Sequence, residues 1–349
     1  MPLIRVLIAD DSLLIRTVLR DLLATDPGIA IVGEAGDGRA AVEMTARLKP
    51  DLVIMDVMMP VMDGLEAVTA IMASTPVPIL MLSANTDPAD SRSAFAAIRL
   101  GALDVMPKPA GATTEAFAQL SAQLIAKVRS LSRIRVMHHF RPKRGAPPPV
   151  VPAPPATGPV GQRRFLAIGA STGGPKAVLQ LLKELPADLA AAGVIVQHIA
   201  DGFAAGFAEW LDREVPLKVA LAREGEALQP GRLLVAPNGS HLTVTAGGRV
   251  ALRDTAPLHN CRPAADALFQ SLAEAGLGGE TVGVILTGMG NDGAVGLKAL
   301  HDRGAYTLAQ DEASCAVFGM PKAAIDAGGV DRVLPLTALA GAIRPLFAK

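Results

Sequence analysis

The sequence predicts an α/β protein of two successive domains. Short apolar runs alternate with stretches of helical spacing along nearly the whole chain, the pattern of strand–helix units feeding parallel sheets. A proline-dense segment breaks the alternation near the middle. The length of 349 residues, at roughly 150 residues per domain, also points to two domains.

Composition narrows the function classes. Hydrophobic residues make up 50% of the chain and charged ones 19%, enough apolar material for a core in each half. Lys plus Arg equals Asp plus Glu, so the net charge is zero, which argues against nucleic acid or an anionic membrane as partner. One Trp and one Tyr leave little for a base-stacking surface. No apolar run approaches the ~18 residues that cross a bilayer. The chain opens directly on "LIRVLIADD", a strand pattern with no cleavage site, so a cytoplasmic protein is expected. The two cysteines, Cys261 and Cys315, make no disulfide framework and have no metal-type spacing.

In the first half, apolar runs at Val6–Ala9, Ala30–Gly33, Leu52–Met55, Ile79–Leu82 and Leu103–Met106 predict five strands, each followed by a helix. That order gives a doubly wound, flavodoxin-like parallel sheet, whose ligands sit beyond the carboxyl ends of its strands. Asp10 and Asp11 end the first strand, Asp56 the third and Ser83 the fourth, and Lys108 follows the fifth. Three carboxylates sharing one pocket repel one another unless a divalent cation sits among them, and oxygen ligands with retained waters suit Mg²⁺. A carboxylate beside that cation can attack a phosphoryl group, with a hydroxyl and a lysine holding the developing charge.

"ADDS", "MDVMMPVMDG", "LSA" and "KP" stand in order along this half, and residues 1–125 resemble a response-regulator receiver domain. The resemblance implies Asp56 as phosphoacceptor, Asp10, Asp11 and Asp56 around Mg²⁺, and Ser83 and Lys108 as phosphate contacts. Receivers often carry a switching aromatic three positions before the lysine. Here that position is Val105, with Pro107 directly before Lys108, so an aromatic-rotamer switch is not expected.

Residues 126–163 are read as the end of a helix and a linker. Eight prolines fall between Pro142 and Pro159, a composition that favours extended, semi-rigid chain and builds no core. A second alternation runs through 164–349. Strands are expected near Phe165–Ile168, Val194–Gln197, Leu233–Ala236, Val282–Leu286 and Tyr306–Ala309. "HLTVTAGGRVALRD" reads as a hairpin inserted in that scheme, with its turn at Ala246–Gly248. The second domain is therefore expected to hold a mainly parallel sheet with mixed strand directions.

"GASTG" fits G-x-S-x-G, a tight strand-to-helix turn that exposes a serine hydroxyl, here Ser171. Backbone N–H groups at the start of the following helix are placed to hold an oxyanion. A Walker loop needs Lys-Ser or Lys-Thr after the glycines, whereas the chain reads "GGPK"; a dinucleotide fingerprint needs glycine at position 171. The serine needs a base. His138 and His139 lie at the linker and His301 on a polar helix, while His241 and His259 suit either a site or a surface. His198 ends the strand after the serine turn, and Asp292 follows the strand "VGVIL". Ser171, His198 and Asp292 thus each follow an apolar strand, in an order that ordinary α/β-hydrolases do not use.

"AIGASTGGP", "VQH", "CRPAADALF", "LTGMGNDGA" and "MPKAAI" appear in sequence, and residues 164–346 resemble the catalytic domain of the CheB protein-glutamate methylesterases. The resemblance implies Ser171 as nucleophile, His198 as general base and acid, Asp292 as orienting carboxylate, and Thr172 and Met289 as site-lining or oxyanion residues. It implies hydrolysis of glutamate γ-methyl esters on methyl-accepting chemotaxis receptors, with methanol released, and deamidation of receptor glutamines. It implies no cofactor for the esterase, and a chemotaxis histidine kinase as phosphodonor to a receiver that otherwise covers the catalytic site. Two alternatives stand beside it. A receiver-driven transcription factor would need a basic recognition helix, which the second half lacks. A serine esterase acting on a small metabolite would use the same three residues.

Overall fold

The computed structural model describes residues 3–84, 88–109, 114–134, 136 and 163–347. Contacts divide the chain into two units, Met1–Pro148 and Pro149–Lys349. Residues 141–162, which carry the linker prolines, lie outside the described residues.

The first unit alternates β1 (Ile4–Ala9), α1 (Leu13–Ala24), β2 (Ile29–Ala35), α2 (Gly38–Leu48), β3 (Leu52–Asp56), α3 (Gly64–Ser74), β4 (Ile79–Ser83), α4 (Pro88–Leu100), β5 (Asp104–Pro107) and α5 (Thr114–Leu131). The strands pair in parallel in the order β2-β1-β3-β4-β5. The five residues of β3 and of β4 are all buried, as strands covered by helices on both faces must be. Helices begin where the sequence supplies caps: Ser12 accepts the Ile15 N–H, Asp37 that of Ala40, and Asp63 forms a capping box with Glu66. Helix α5 closes the unit through buried Val128 and Leu131, and Arg129 grips Asp26 through two bonds of 2.6 and 2.7 Å. Pro107 ends the edge strand, where a missing ladder donor is tolerated.

The second unit contains β6 (Phe165–Ala170), α6 (Gly174–Lys183), β7 (Ala192–Gln197), α7 (Ala204–Glu214), β8 (Lys218–Leu221), β9 (Arg232–Val235), β10 (His241–Val244), β11 (Val250–Arg253), α8 (Ala265–Glu274), β12 (Thr281–Ile285), α9 (Ala294–Asp302), β13 (Tyr306–Gln310), α10 (Met320–Asp326), β14 (Arg332–Leu334) and α11 (Leu336–Ile343). Seven strands form one sheet in the order β14-β13-β12-β6-β7-β9-β8. Every pair in it is parallel, so the expected mixture of directions is corrected. The hairpin β10–β11 is antiparallel but stands outside the sheet, as a two-stranded ribbon of its own. Its apolar face, Leu242, Val244 and Val250, packs with Leu268, Phe269 and Leu272 of α8, which satisfies it without the main sheet. The Val244 N–H donates to Ser271 Oγ of α8 at 2.9 Å.

Strands β8 and β14 were not foreseen. They are short edge strands of four and three residues with several partly exposed positions, so the apolar signal is weak. The chain enters this unit through two engaged arginines. Arg163 Nη1 donates to the carbonyls of Gly279 and Gly304 at 2.8 Å each, and Arg164 pairs with Glu280 at 2.9 Å. In both units the chain reverses its winding beside the first strand, between β1 and β3 and between β6 and β12, and each reversal opens a crevice at the strands' carboxyl ends.

Candidate functional site

Ser171, His198 and Asp292 follow β6, β7 and β12, which are neighbours in the sheet, so their loops meet at one edge. Backbone bonds carry the pairing past the strand ends. The His198 N–H donates to the Ala170 carbonyl at 2.9 Å and the Ser171 N–H to that of Thr287 at 3.0 Å. Gly173, at φ +75°, turns the chain into α6, and a β-carbon there would stand 2.4 Å from Ala316 Cβ. No side chain caps α6; instead the Gly174 N–H folds back onto the Ser171 carbonyl at 2.7 Å, and Pro175 brings no N–H. The loop after β12 passes close by: a β-carbon on Gly288 would lie 2.8 Å from Ser171 Cβ. That loop carries Met289, half-exposed, while Thr172 is buried and its carbonyl accepts from Thr287 Oγ1 at 3.0 Å.

His198 Nε2 lies 2.7 Å from Asp292 Oδ2. The Asp292 carboxylate is 2% exposed and accepts the N–H groups of Ala265 and Asp266, at 2.6 and 3.0 Å, at the start of α8. Burial alone would raise the Asp292 carboxyl, but the bond to His198, its charge and the two N–H groups outweigh it and hold the group below the ordinary carboxylate range. Burial likewise works to lower His198, yet Asp292 and Cys261 together push the imidazole up to about 9. The other ring nitrogen, Nδ1, faces Cys261 Sγ at 3.6 Å. Ser171 Oγ makes no hydrogen bond to any described residue. The structure therefore joins His198 to Asp292 and sets Ser171 on the adjoining loop without closing a Ser171–His198 bond. Such bonds are often open before substrate binds.

The remaining histidines separate by role. His241 is buried and structural, its Nε2 at 3.0 Å from the Ala256 carbonyl and its Nδ1 accepting the Ala264 N–H at 3.1 Å. His259 pairs through Nε2 with Asp266 Oδ2 at 2.8 Å. His301 is partly exposed on α9, 3.3 Å from Asp331. His138 and His139 lie outside the described residues.

In the first unit, Asp10, Asp56 and Ser83 are buried and Asp11 is exposed. Lys108 Nζ stands 2.9 Å from Asp10 Oδ2 and 2.7 Å from Asp56 Oδ2. Beyond that ion pair these two buried oxygens have no hydrogen-bond donor. Burial chiefly, opposed by the Lys108 bond and reinforced by the Asp10 charge, pushes Asp56 up to about 6. Asp10, Asp11 and Asp56 bring carboxylate oxygens within 4.8 Å of one another beside a solvent-open cleft lined by Asp56, Ser83 and Lys108. Converging carboxylate oxygens, two of them with the Lys108 ammonium alone against them, fit a hard divalent cation such as Mg²⁺. Val105 is buried in β5, so the position of the receiver aromatic holds a small core side chain.

Comparison with known proteins agrees with this architecture. A family model described as CheB methylesterase matches residues 166–343, and one described as response regulator receiver domain matches residues 6–117. The chain is 45% identical, over 98% of its length and 97% of the relative's, to protein-glutamate methylesterase/protein-glutamine glutaminase 2 of Anaeromyxobacter dehalogenans. The chain belongs to the CheB methylesterase family. It is also 42% identical, over 99% of its length and 97% of the relative's, to protein-glutamate methylesterase/protein-glutamine glutaminase 4 of Myxococcus xanthus. Among solved structures, the CheB methylesterase catalytic domain of Thermotoga maritima matches at TM-score 0.50 and 37% identity, over 52% of this chain and 96% of that one.

Several residues around this CheB-type site carry no signal that their type alone would give. Gln197, 2% exposed, donates through Nε2 to the carbonyls of Ser171 and His198 at 2.8 and 2.9 Å, clamping two loops with one amide. Gln310 accepts the Thr287 N–H at 2.9 Å, and Thr287 Oγ1 takes the Val317 N–H at 2.9 Å. Asp266 accepts the Gly296 N–H at 2.6 Å. Burial raises the Asp266 carboxyl, and the charge of Asp292 adds to that against the Gly296 N–H and His259. The usable clue was position, since Gln197 and Gln310 are polar residues closing otherwise apolar strands.

Proposed function

We propose that this chain hydrolyses glutamate γ-methyl esters on methyl-accepting chemotaxis receptors, releasing methanol, and deamidates particular receptor glutamines by the same acyl transfer. The observation that carries the residue roles is the His198–Asp292 pair, held at 2.7 Å on a buried carboxylate beside the Ser171 turn. With Nε2 engaged by Asp292, Nδ1, which faces Cys261 Sγ at 3.6 Å before substrate binds, is the nitrogen that accepts the Ser171 proton. Ser171 Oγ attacks the ester carbonyl, and the same imidazole then delivers a proton to the departing methoxide. Asp292 fixes the ring's tautomer and balances the imidazolium. The turn carrying Thr172 and the loop carrying Met289 flank Ser171 and supply backbone N–H groups for the oxyanion, and losing one donor costs on the order of 10²–10³ in rate. Water, activated through His198, releases the glutamate.

Control belongs to the receiver. Asp56 accepts a phosphoryl group from a chemotaxis histidine kinase, and Ser83 and Lys108 hold its oxygens. Asp10, Asp11 and Asp56 would hold Mg²⁺, which when bound neutralises charge building on the phosphoryl group. Methanol release from methylated receptor membranes tests the whole reading, with and without a small phosphodonor plus Mg²⁺. Release lost in Ser171→Ala and raised by the phosphodonor is expected. Release that persists in Ser171→Ala overturns the nucleophile, and release indifferent to the phosphodonor overturns the control.

A further inference from the structure

We infer that Cys261 is a covalent modification site, where a hydroperoxide converts the thiol facing His198 to a sulfenic acid and thereby stops the esterase. The esterase half of this inference rests on the function proposed above. The modification half rests on geometry alone.

Cys261 Sγ, His198 Nδ1, His198 Nε2 and Asp292 Oδ2 form a continuous line, with steps of 3.6 Å from sulfur to ring and 2.7 Å from ring to carboxylate. A thiol set against an imidazole that a buried carboxylate orients is the arrangement that makes a cysteine nucleophilic. The placement is built. The Cys261 N–H donates to the Leu258 carbonyl at 2.8 Å and the Leu258 N–H returns to the Cys261 carbonyl at 3.1 Å, which closes a four-residue loop. His259 and Asn260 complete the loop with φ of 50° and 59°, an uncommon conformation for side chains other than glycine. His259 is anchored on Asp266 and Arg262 on Asp254, at 2.8 and 2.6 Å, so both flanks of the cysteine are tied. Cys261 is partly exposed, which leaves it open to a small oxidant.

The reaction balances without further reagents. In the neutral form of the imidazole the thiol proton moves to His198 Nδ1, and the thiolate attacks one peroxide oxygen. An S–O bond forms as the O–O bond breaks. Sulfur is oxidised by two electrons and the peroxide is reduced, its departing oxygen taking the proton from His198 to leave as water or an alcohol. The new S–OH then occupies the nitrogen that must receive the Ser171 proton, so Ser171 loses its base. Cys315 is the internal control. Its sulfur has the Gln310 carbonyl at 3.9 Å as partner and no imidazole, and burial with the Asp311 charge pushes its thiol up to about 12.

The test uses the full-length protein, hydrogen peroxide and a 1,3-dicarbonyl probe that traps sulfenic acids, with labelled peptides read by mass spectrometry. Cys261 should label at least about ten-fold faster than Cys315, and His198→Asn should slow Cys261 by about ten-fold. Asp292→Asn serves as the second variant if circular dichroism shows His198→Asn unfolded. Equal labelling of the two cysteines, or Cys261 labelling that ignores both variants, overturns the inference. Serine-dependent methanol release should fall in step with Cys261 oxidation and return with a thiol reductant, and release that survives full Cys261 oxidation overturns the switch. Histidine-dependent labelling in a protein that never releases methanol leaves the modification site standing and overturns the proposed function instead.

Discussion

Asp266 and Asp292 cap each other's helices. Asp292, in the loop before α9, accepts the N–H groups of Ala265 and Asp266 that begin α8, while Asp266 accepts the Gly296 N–H in the first turn of α9. Neither helix has a side-chain cap of its own. The Asp292 carboxylate is therefore held at the N-terminus of α8 and its partner Asp266 at that of α9, each of which favours negative charge.

The reciprocal cap makes Asp266 a positioning residue. Asp266→Ala should lower kcat by roughly ten-fold with KM little changed, and cost about 1–2 kcal/mol of stability through the lost cap. Asp266→Asn, which keeps an acceptor for the Gly296 N–H, should recover most of the stability. Steady-state methanol release and urea unfolding of both variants check this; a KM effect without a kcat effect would contradict it.

Gln197 should prove nearly as costly to remove. Gln197→Leu keeps the volume but leaves the His198 carbonyl without a donor and the Ser171 carbonyl with the Gly174 N–H alone, at about 1–3 kcal/mol. Thermal unfolding should show that loss, and kcat should fall because the two loops lose their shared clamp.

The pH–rate profile should follow His198. An imidazole pushed up to about 9 is protonated at neutral pH, so kcat/KM should rise with pH and level off above about 9. Stability runs the other way. A histidine whose folded value is raised contributes fully below its unfolded value near 6.5, and that contribution is lost as pH climbs through about 9. Rate profiles and unfolding at pH 6 and pH 10 check both signs.

The receiver carboxylates give the opposite case. Asp56, raised from 3.8 to about 6, binds its proton more tightly when folded, so ionising it costs stability that is fully felt above about pH 6. Asp56→Asn should therefore stabilise the receiver at pH 7, by up to about 3 kcal/mol. Millimolar Mg²⁺ should stabilise the unsubstituted receiver, and do so far less in Asp56→Asn. Calorimetry at pH 5 and pH 7, with and without Mg²⁺, reads both effects.

Much of this protein was legible from strand ends alone. Parallel strands deliver their carboxyl termini to one edge, so apolar runs followed by Asp10, Asp56, Ser83, Ser171, His198 and Asp292 place those residues at two edges from the sequence alone. The edge strands β8 and β14 escaped because half-exposed strands of three or four residues carry no continuous apolar run. The separate hairpin escaped because its face is satisfied by α8, a long-range match that local pattern does not encode.

The sequence by itself determined the two α/β units, the proline break between them and the chemical types at each strand end, since these follow from periodicity and composition. Only the tertiary structure decided that His198 Nδ1 faces Cys261 rather than Ser171, that Gln197 joins the Ser171 and His198 loops, and that Asp266 and Asp292 exchange caps. Apart from the adjacent pair Gln197–His198, those relationships join residues 26 to 63 positions apart, and they depend on distances of a few tenths of an ångström. Hydrogen bonds of that kind are set by how helices and loops pack over the sheet, and a linear pattern of apolar and polar residues carries no record of it.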